Sequence, residues 1–115
     1  MAEVKMAVTL NHIQEIAYQI VEHFHPQKII LFGSHAYGTA TVDSDVDLLV
    51  MLDTEERPLH AAARIAAAVD HPFPLDIIVF TPSDWAASLK RKGIFATEVT
   101  MKGIVLYEAG DTRVD

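Results

Sequence analysis

The feature that most constrains this chain is a pair of aspartates, Asp45 and Asp47, at the start of an apolar segment that runs to Leu52. From Leu48 onward every position of the segment is apolar, which is typical of a strand covered on both faces of a sheet. Residues two apart on a strand point the same way, so both carboxylates project from one face while Val46 enters the core. The pattern predicts a central strand over residues 45–52 of an α/β fold.

The rest of the chain supplies the helices and strands that such a sheet requires. Apolar residues at helical spacing, or short β-branched runs, define each element. The predicted helices are 9–24, 58–69, 83–92 and 94–102, and the other predicted strands are 28–32, 75–80 and 104–107. Asn11 and Ser83 are the predicted N-caps of the first and third helices. We expect a small α/β domain over residues 1–115, with helices packed on a mixed sheet and a frayed tail at 108–115.

A glycine and a serine follow the strand at 28–32. Gly33 allows the backbone to turn sharply and to approach a ligand closely. Ser34 can cap a short helical turn through Tyr37, which Gly38 ends. Its hydroxyl and the exposed backbone N–H groups predict a phosphate-binding turn. Taken alone, a Gly-Ser pair after a strand is more often an ordinary turn.

Two adjacent carboxylates at the edge of a core need a positive charge nearby, because like charges repel strongly when they are partly buried. Divalent cations prefer carboxylate oxygens, so the simplest explanation is a metal site. A third carboxylate is expected on a neighbouring strand, and Asp76 opens the apolar run to Phe80. Asp53 is excluded because it lies about 20 Å from Asp47 along the strand. A purely structural Asp45–Asp47 pair is the alternative.

Charge and composition limit the classes of function. The chain has 9 basic and 16 acidic side chains and a formal net charge of −7. This balance argues against strong nucleic-acid binding, which needs a basic surface, but a nucleotide that arrives with Mg²⁺ is not excluded. Cysteine is absent, no apolar run is long enough to cross a bilayer, and the first residues lack a secretion signal. We therefore expect a cytoplasmic protein without a membrane anchor.

The motif set resembles the DNA polymerase β-type nucleotidyltransferase superfamily, and more closely the minimal nucleotidyltransferases that act as antitoxins beside HEPN-domain toxins. Their signature is Gly-Ser, ten residues, then Asp-x-Asp, as in Gly33-Ser34, residues 35–44 and Asp45-Val46-Asp47. The resemblance implies a small nucleotidyltransferase fold and an enzyme of that class. Gly33 and Ser34 would hold the triphosphate of ATP. Asp45, Asp47 and Asp76 would be the catalytic residues that bind two Mg²⁺ ions.

The same resemblance implies a partner. AMP would be transferred to a tyrosine of a HEPN-type toxin, which would silence it. Many relatives carry arginines where this chain has His35 and Tyr37, and the substitution predicts NTP binding that is weaker, pH-dependent through His35 or completed by a partner.

Two other functions stay open: a non-catalytic antitoxin that masks its partner by contact, and transfer to a small molecule with a partner subunit. The alanines at 61–63 and 66–68 are expected to pack closely on the sheet, and a homo-oligomer or partner face is their alternative role.

Overall fold

The computed structural model describes residues 8–110 of the 115-residue chain. Within these residues, five helices and four strands follow one another in an order close to the predicted one. They are α1 (Leu10–Phe24), β1 (Lys28–Phe32), α2 (Ser34–Tyr37), β2 (Val46–Met51), α3 (Pro58–Ala68), β3 (Leu75–Phe80), α4 (Pro82–Lys90), α5 (Ile94–Lys102) and β4 (Ile104–Glu108).

The strands form one mixed sheet with the order β3-β2-β1-β4. Strand β2 runs parallel to β3 and antiparallel to β1, and β1 also pairs antiparallel with β4. Strand β2 therefore lies in the interior of the sheet. The predicted fold class, a small mixed sheet with helices packed on it, is confirmed, and so is the central position of the strand that carries Asp47.

The two faces of β2 enter two separate cores, which explains why the strand is apolar at nearly every position. Val46, Leu48 and Val50 belong to a core between the sheet and helices α1 and α3. Leu49 and Met51 belong to a second core between the sheet and helices α4 and α5. Because side chains alternate along a strand, Asp47 lies on the face of Leu49 and Met51.

Aromatic rings make up much of the second core. Phe95 of α5 contacts Phe32 of β1 edge-on, with ring centroids 5.3 Å apart, and stacks on Phe80 of β3 at 6.1 Å. Trp85 of α4 contacts the edge of Phe80 at 5.1 Å. Each such pair adds to the free energy of burial. These contacts fix α5 across the sheet face that carries Asp47.

Two of the predicted N-caps were wrong because a threonine stands earlier in each case. Thr9 caps α1: its Oγ1 accepts the His12 N–H at 3.2 Å, and His12 Nδ1 accepts the Thr9 N–H at 3.2 Å. Asn11 therefore lies inside the first turn. Thr81 caps α4 through the Asp84 N–H at 3.2 Å. Its helix begins at Pro82, a residue suited to the first helical position.

Several element ends differ from the prediction by one or two residues. Helix α4 ends at Lys90 rather than at residue 92, because Lys92 adopts a left-handed conformation with φ 55°. Strand β2 begins after Asp45, at Val46. Strand β4 includes Glu108, which pairs with Lys28. The rest of the predicted tail from residue 111 onward lies outside the described residues.

The alanine-rich helix α3 packs on the sheet as expected through part of its surface. Ala61 and Ala62 are buried in the first core, whereas Ala63, Ala67 and Ala68 are exposed. A self-association face on these exposed alanines stays a prediction. Over residues 8–110, no helix has both the length and the apolar character that crossing a membrane requires.

Candidate active site

Two of the three predicted carboxylates lie side by side on neighbouring strands. Asp47 is the second residue of β2, Asp76 is the second residue of β3, and the parallel register pairs them directly. Paired residues of parallel strands project from the same face of a sheet. The structure thus brings together two aspartates that are far apart in the sequence.

Asp45 stands immediately before β2, two residues from Asp47. It is exposed, as is Asp76, whereas Asp47 is half-buried. The charges of Asp45 and Asp76 both act on the Asp47 carboxyl. The structure therefore places the three predicted carboxylates within electrostatic reach of one another, with Asp47 in the middle.

The pKa of Asp47 reflects how unfavourable a negative charge is in this arrangement. Burial raises the pKa of Asp47 above its ordinary value, and the negative charges of Asp76 and then Asp45 raise it further. A positive charge on His35 acts in the opposite direction and lowers the pKa of Asp47. Burial and the neighbouring negative charges both disfavour the ionised form of Asp47. A cation beside its carboxylate would stabilise that form.

The absence of a side chain at Gly33 leaves room for the Asp47 carboxylate. Gly33 is the N-cap of α2 and has φ 74°, a left-handed conformation that favours glycine. A Cβ atom at this position would overlap Oδ2 of Asp47. The sequence predicted a sharp turn at Gly33. The close approach to Asp47 follows from the pairing of Phe32 with Asp47, which the sequence alone does not reveal.

Ser34 is the first residue of α2 rather than its cap, because Gly33 takes the cap position and the turn has no side-chain cap. The predicted short turn through Tyr37 is confirmed, and Gly38 ends it with φ 84°. The Ala36 and Tyr37 N–H groups both donate to the Gly33 carbonyl, each at 3.0 Å. Ser34 therefore begins a compact turn directly beside the carboxylates.

His35 connects this turn to the loop that carries Asp45. Its Nε2 lies 3.3 Å from the Ser44 carbonyl oxygen, and since a carbonyl only accepts, Nε2 carries the proton. The loop is closed by Thr41 and Ser44: the Thr41 N–H donates to Ser44 Oγ at 2.8 Å, and the Ser44 N–H donates to the Thr41 carbonyl at 3.1 Å. These hydrogen bonds fix the position of Ser44, the residue immediately before Asp45.

The donor set suits a hard divalent cation. Aspartate oxygens are the ligands that Mg²⁺ prefers, and like charges on adjacent strands call for a cation between them. Within residues 8–110, however, no three acidic or histidine side chains already form a metal-ligating cluster. Since three carboxylates repel one another, a cation would have to draw their oxygens together.

Asp53, which the sequence analysis excluded, and Asp84 both lie elsewhere. Asp53 is exposed and follows the end of β2 opposite to Asp47. Asp84 lies in the first turn of α4, where a negative charge suits the helix dipole. Neither belongs to the candidate site.

One cationic residue near the turn was missed by the sequence argument. Lys102, the last residue of α5, places its Nζ 5.7 Å from the ring centroid of Tyr37. No motif joins these two residues, because the contact depends on how α5 returns to the sheet.

Comparison with known families gives a match over most of the chain. The family model described as nucleotidyltransferase domain matches residues 13–99, a range that contains Gly33, Ser34 and all three aspartates. No curated protein matches significantly.

Solved structures show the same fold at low sequence identity. A protein from Sulfolobus solfataricus that is assigned to the nucleotidyltransferases superposes with a TM-score of 0.62 and 18% identity, covering 89% of this chain and 82% of its own. A toxin-antitoxin structure with AMP-PNP gives a TM-score of 0.55 and 22% identity, covering 84% of this chain and 74% of its own. These likenesses concern the fold.

Proposed function

This chain belongs to the nucleotidyltransferase domain family, and we propose that it transfers a nucleoside monophosphate from an NTP to a hydroxyl acceptor. The observation that carries the proposal is the in-register pair Asp47–Asp76, with Gly33 packed against the Asp47 carboxylate. The pair lies beside the turn that begins at Ser34. The carboxylates that would hold the metal ions and the turn that would bind the phosphates are thereby adjacent, which supports phosphoryl transfer.

Asp45, Asp47 and Asp76 would hold two Mg²⁺ ions. When bound, the ions supply neutralisation of phosphate charge and stabilisation of the attacking and leaving oxygens. The raised pKa of Asp47 supports this assignment, because its causes are burial and the two neighbouring carboxylates. Groups whose pKa is shifted by burial and by neighbouring charges are frequent at functional sites.

The chain's own residues would perform the remaining steps. Gly33 and Ser34 would hold the triphosphate, and Asp76 would accept the proton of the acceptor hydroxyl. The acceptor oxygen then forms a bond to the α-phosphorus while the bond from that phosphorus to the bridging oxygen of the β-phosphate breaks. Pyrophosphate leaves with the bonding electrons.

We propose ATP as the donor and a tyrosine of a HEPN-domain toxin as the acceptor, so that the chain acts as an antitoxin. The proposal is supported by the motif resemblance and by a structural neighbour that is a toxin-antitoxin with AMP-PNP. Modification would add a bulky anionic group to the toxin and prevent its activity.

The experiment mixes this chain, the product of the adjacent gene, Mg²⁺ and ATP labelled at either the α- or the γ-phosphate. Transfer of AMP puts only the α label on the partner, and mass spectrometry then locates the modified tyrosine. Asp47→Asn should abolish labelling, whereas Asp53→Asn, at the other end of β2, should not.

Two other outcomes would contradict the proposal. Label from the γ-phosphate would indicate phosphorylation instead. A tight complex without any label, in which the partner is still inhibited, would indicate masking by contact and contradict the catalytic proposal.

A further inference from the structure

The turn that follows β1 has no permanently cationic side chain of its own. Helix α2 consists of Ser34, His35, Ala36 and Tyr37, and the His35 ring is directed at the Ser44 carbonyl. A bound triphosphate carries more negative charge than carboxylate-bound metal ions alone can compensate, because the carboxylates already neutralise part of the metal charge. A cationic group from another element is therefore required for tight binding.

Lys102 meets this requirement from the end of α5. Its Nζ lies 5.7 Å from the ring centroid of Tyr37, within the range of a cation–π contact. Tyr37 and Ser34 are three residues apart in one helical turn and share a face of it. Tyr37 is thus the residue that links Ser34, through the turn of α2, to the ammonium group of Lys102, through the ring contact.

The backbone at Lys102 is fixed by packing rather than by the side-chain contact alone. Gly103 lies so close to β1 that a Cβ there would come within 2.6 Å of Ile30 Cγ2 and 3.2 Å of the Leu31 carbonyl oxygen. Ile30 and Leu31 lie just before the turn at Gly33. The end of α5 is thus anchored against the strand that leads into the candidate site.

The other partner of Lys102 leaves it available to a ligand. Its Nζ lies 3.8 Å from Glu98 Oε1, and the two side chains are 61% and 47% exposed. An exposed pair of this kind contributes little to stability, so a phosphate can displace it at small cost.

We infer that Lys102 binds the triphosphate of the donor nucleotide and supplies the positive charge that α2 lacks. This inference rests on the proposed function. Tyr37 acts as the platform that positions the ammonium group.

The test compares the binding of two nucleotides, AMP and the α,β-methylene analogue of ATP, to the full chain with Mg²⁺ by calorimetry. Lys102→Met keeps the aliphatic stem and removes the charge. We expect affinity for the ATP analogue to fall about tenfold, the range of a charge-assisted hydrogen bond, while affinity for AMP changes little. Lys102→Arg should retain most of the affinity.

Matched controls separate binding from folding. Lys28 is also ion-paired, with Glu108 at 3.4 Å, but it lies at the end of β1 opposite to Gly33. Lys28→Met should therefore leave both affinities unchanged. Tyr37→Phe should preserve binding of the ATP analogue and Tyr37→Leu should weaken it, with melting temperatures confirming that each variant is folded.

The outcomes distinguish this inference from the proposed function. If Lys102→Met binds the ATP analogue as tightly as the wild type, or loses AMP equally, the role of Lys102 is refuted while the proposed function stands. If the wild-type chain binds no ATP analogue with Mg²⁺, both are refuted.

Discussion

At the scale of single residues, Asp47 is the carboxylate of the candidate site whose negative charge is disfavoured by its surroundings. Burial and two neighbouring carboxylates disfavour its charge. Without divalent cations, we expect Asp47→Asn to raise the melting temperature by about 2–5 °C, since removing an unfavourable functional-site charge is commonly stabilising. Thermal unfolding in the presence of a chelator measures this, with Asp53→Asn as an unaffected control. A lower melting temperature for Asp47→Asn would contradict the electrostatic account.

The same residue predicts a pH dependence. Because the folded-state pKa of Asp47 is raised, the folded state binds more protons than the unfolded state between the ordinary and the raised value. The contribution of Asp47 to stability is fully present below the ordinary pKa and is lost as the pH rises through the raised one. The free energy of unfolding of the wild type, relative to Asp47→Asn, should therefore fall as the pH increases from the ordinary aspartate pKa, about 4, through the raised pKa of Asp47. A constant difference, measured by denaturant titration, would refute this.

Gly33 offers a separate test of the site geometry. Gly33→Ala combines a positive φ with a collision against Asp47 Oδ2, and we expect it to cost about 1–3 kcal/mol of unfolding free energy. It should also abolish stabilisation by Mg²⁺. Gly38 has φ 84° with no atom within 4 Å of an added Cβ, so Gly38→Ala should cost only about 1 kcal/mol. Equal effects of the two substitutions on the Mg²⁺ response would contradict the proposed contact.

At this scale the acidic residues of the candidate site could be picked out from the sequence, but the residues around them could not. A charge that opens an apolar strand is unusual enough to identify Asp47 and Asp76 from the sequence alone. The role of Lys102 could not be found in this way, because an exposed lysine at a helix end is ordinary and its contact with Tyr37 depends on the tertiary fold.

At the scale of elements, strands were easier to locate than helix caps. The β-branched runs define β1 and β3 to the residue. The cap predictions were wrong because threonine, asparagine and serine are all good N-cap residues. The choice between Thr9 and Asn11 depends on where the first turn of the helix closes.

The cap assignment gives a prediction at this scale. Thr9→Ala removes the acceptor of the His12 N–H and should lower the free energy of unfolding by about 1 kcal/mol. Asn11→Ala should change it by less than about 0.5 kcal/mol, because Asn11 is exposed within the helix. Urea titrations of both variants measure the difference, and the reverse order would restore the original assignment of Asn11 as the cap.

At the scale of the whole molecule, the arrangement of strands explains why the site exists. The pairing of β2 with β3 brings Asp76 beside Asp47, and the pairing of β1 with β2 brings Gly33 against Asp47. The sequence predicted a mixed sheet with β2 in its centre. It could not give the order β3-β2-β1-β4, because strand pairing over long separations depends on how all the helices pack.

The most direct test of the account is a crystal structure of the full chain grown with Mn²⁺ and the α,β-methylene analogue of ATP. We expect anomalous density within coordination distance of an oxygen from each of Asp45, Asp47 and Asp76, with the triphosphate against Gly33 and Ser34. Manganese bound elsewhere, or an Asp76 carboxylate that makes no contact with the metal, would contradict it.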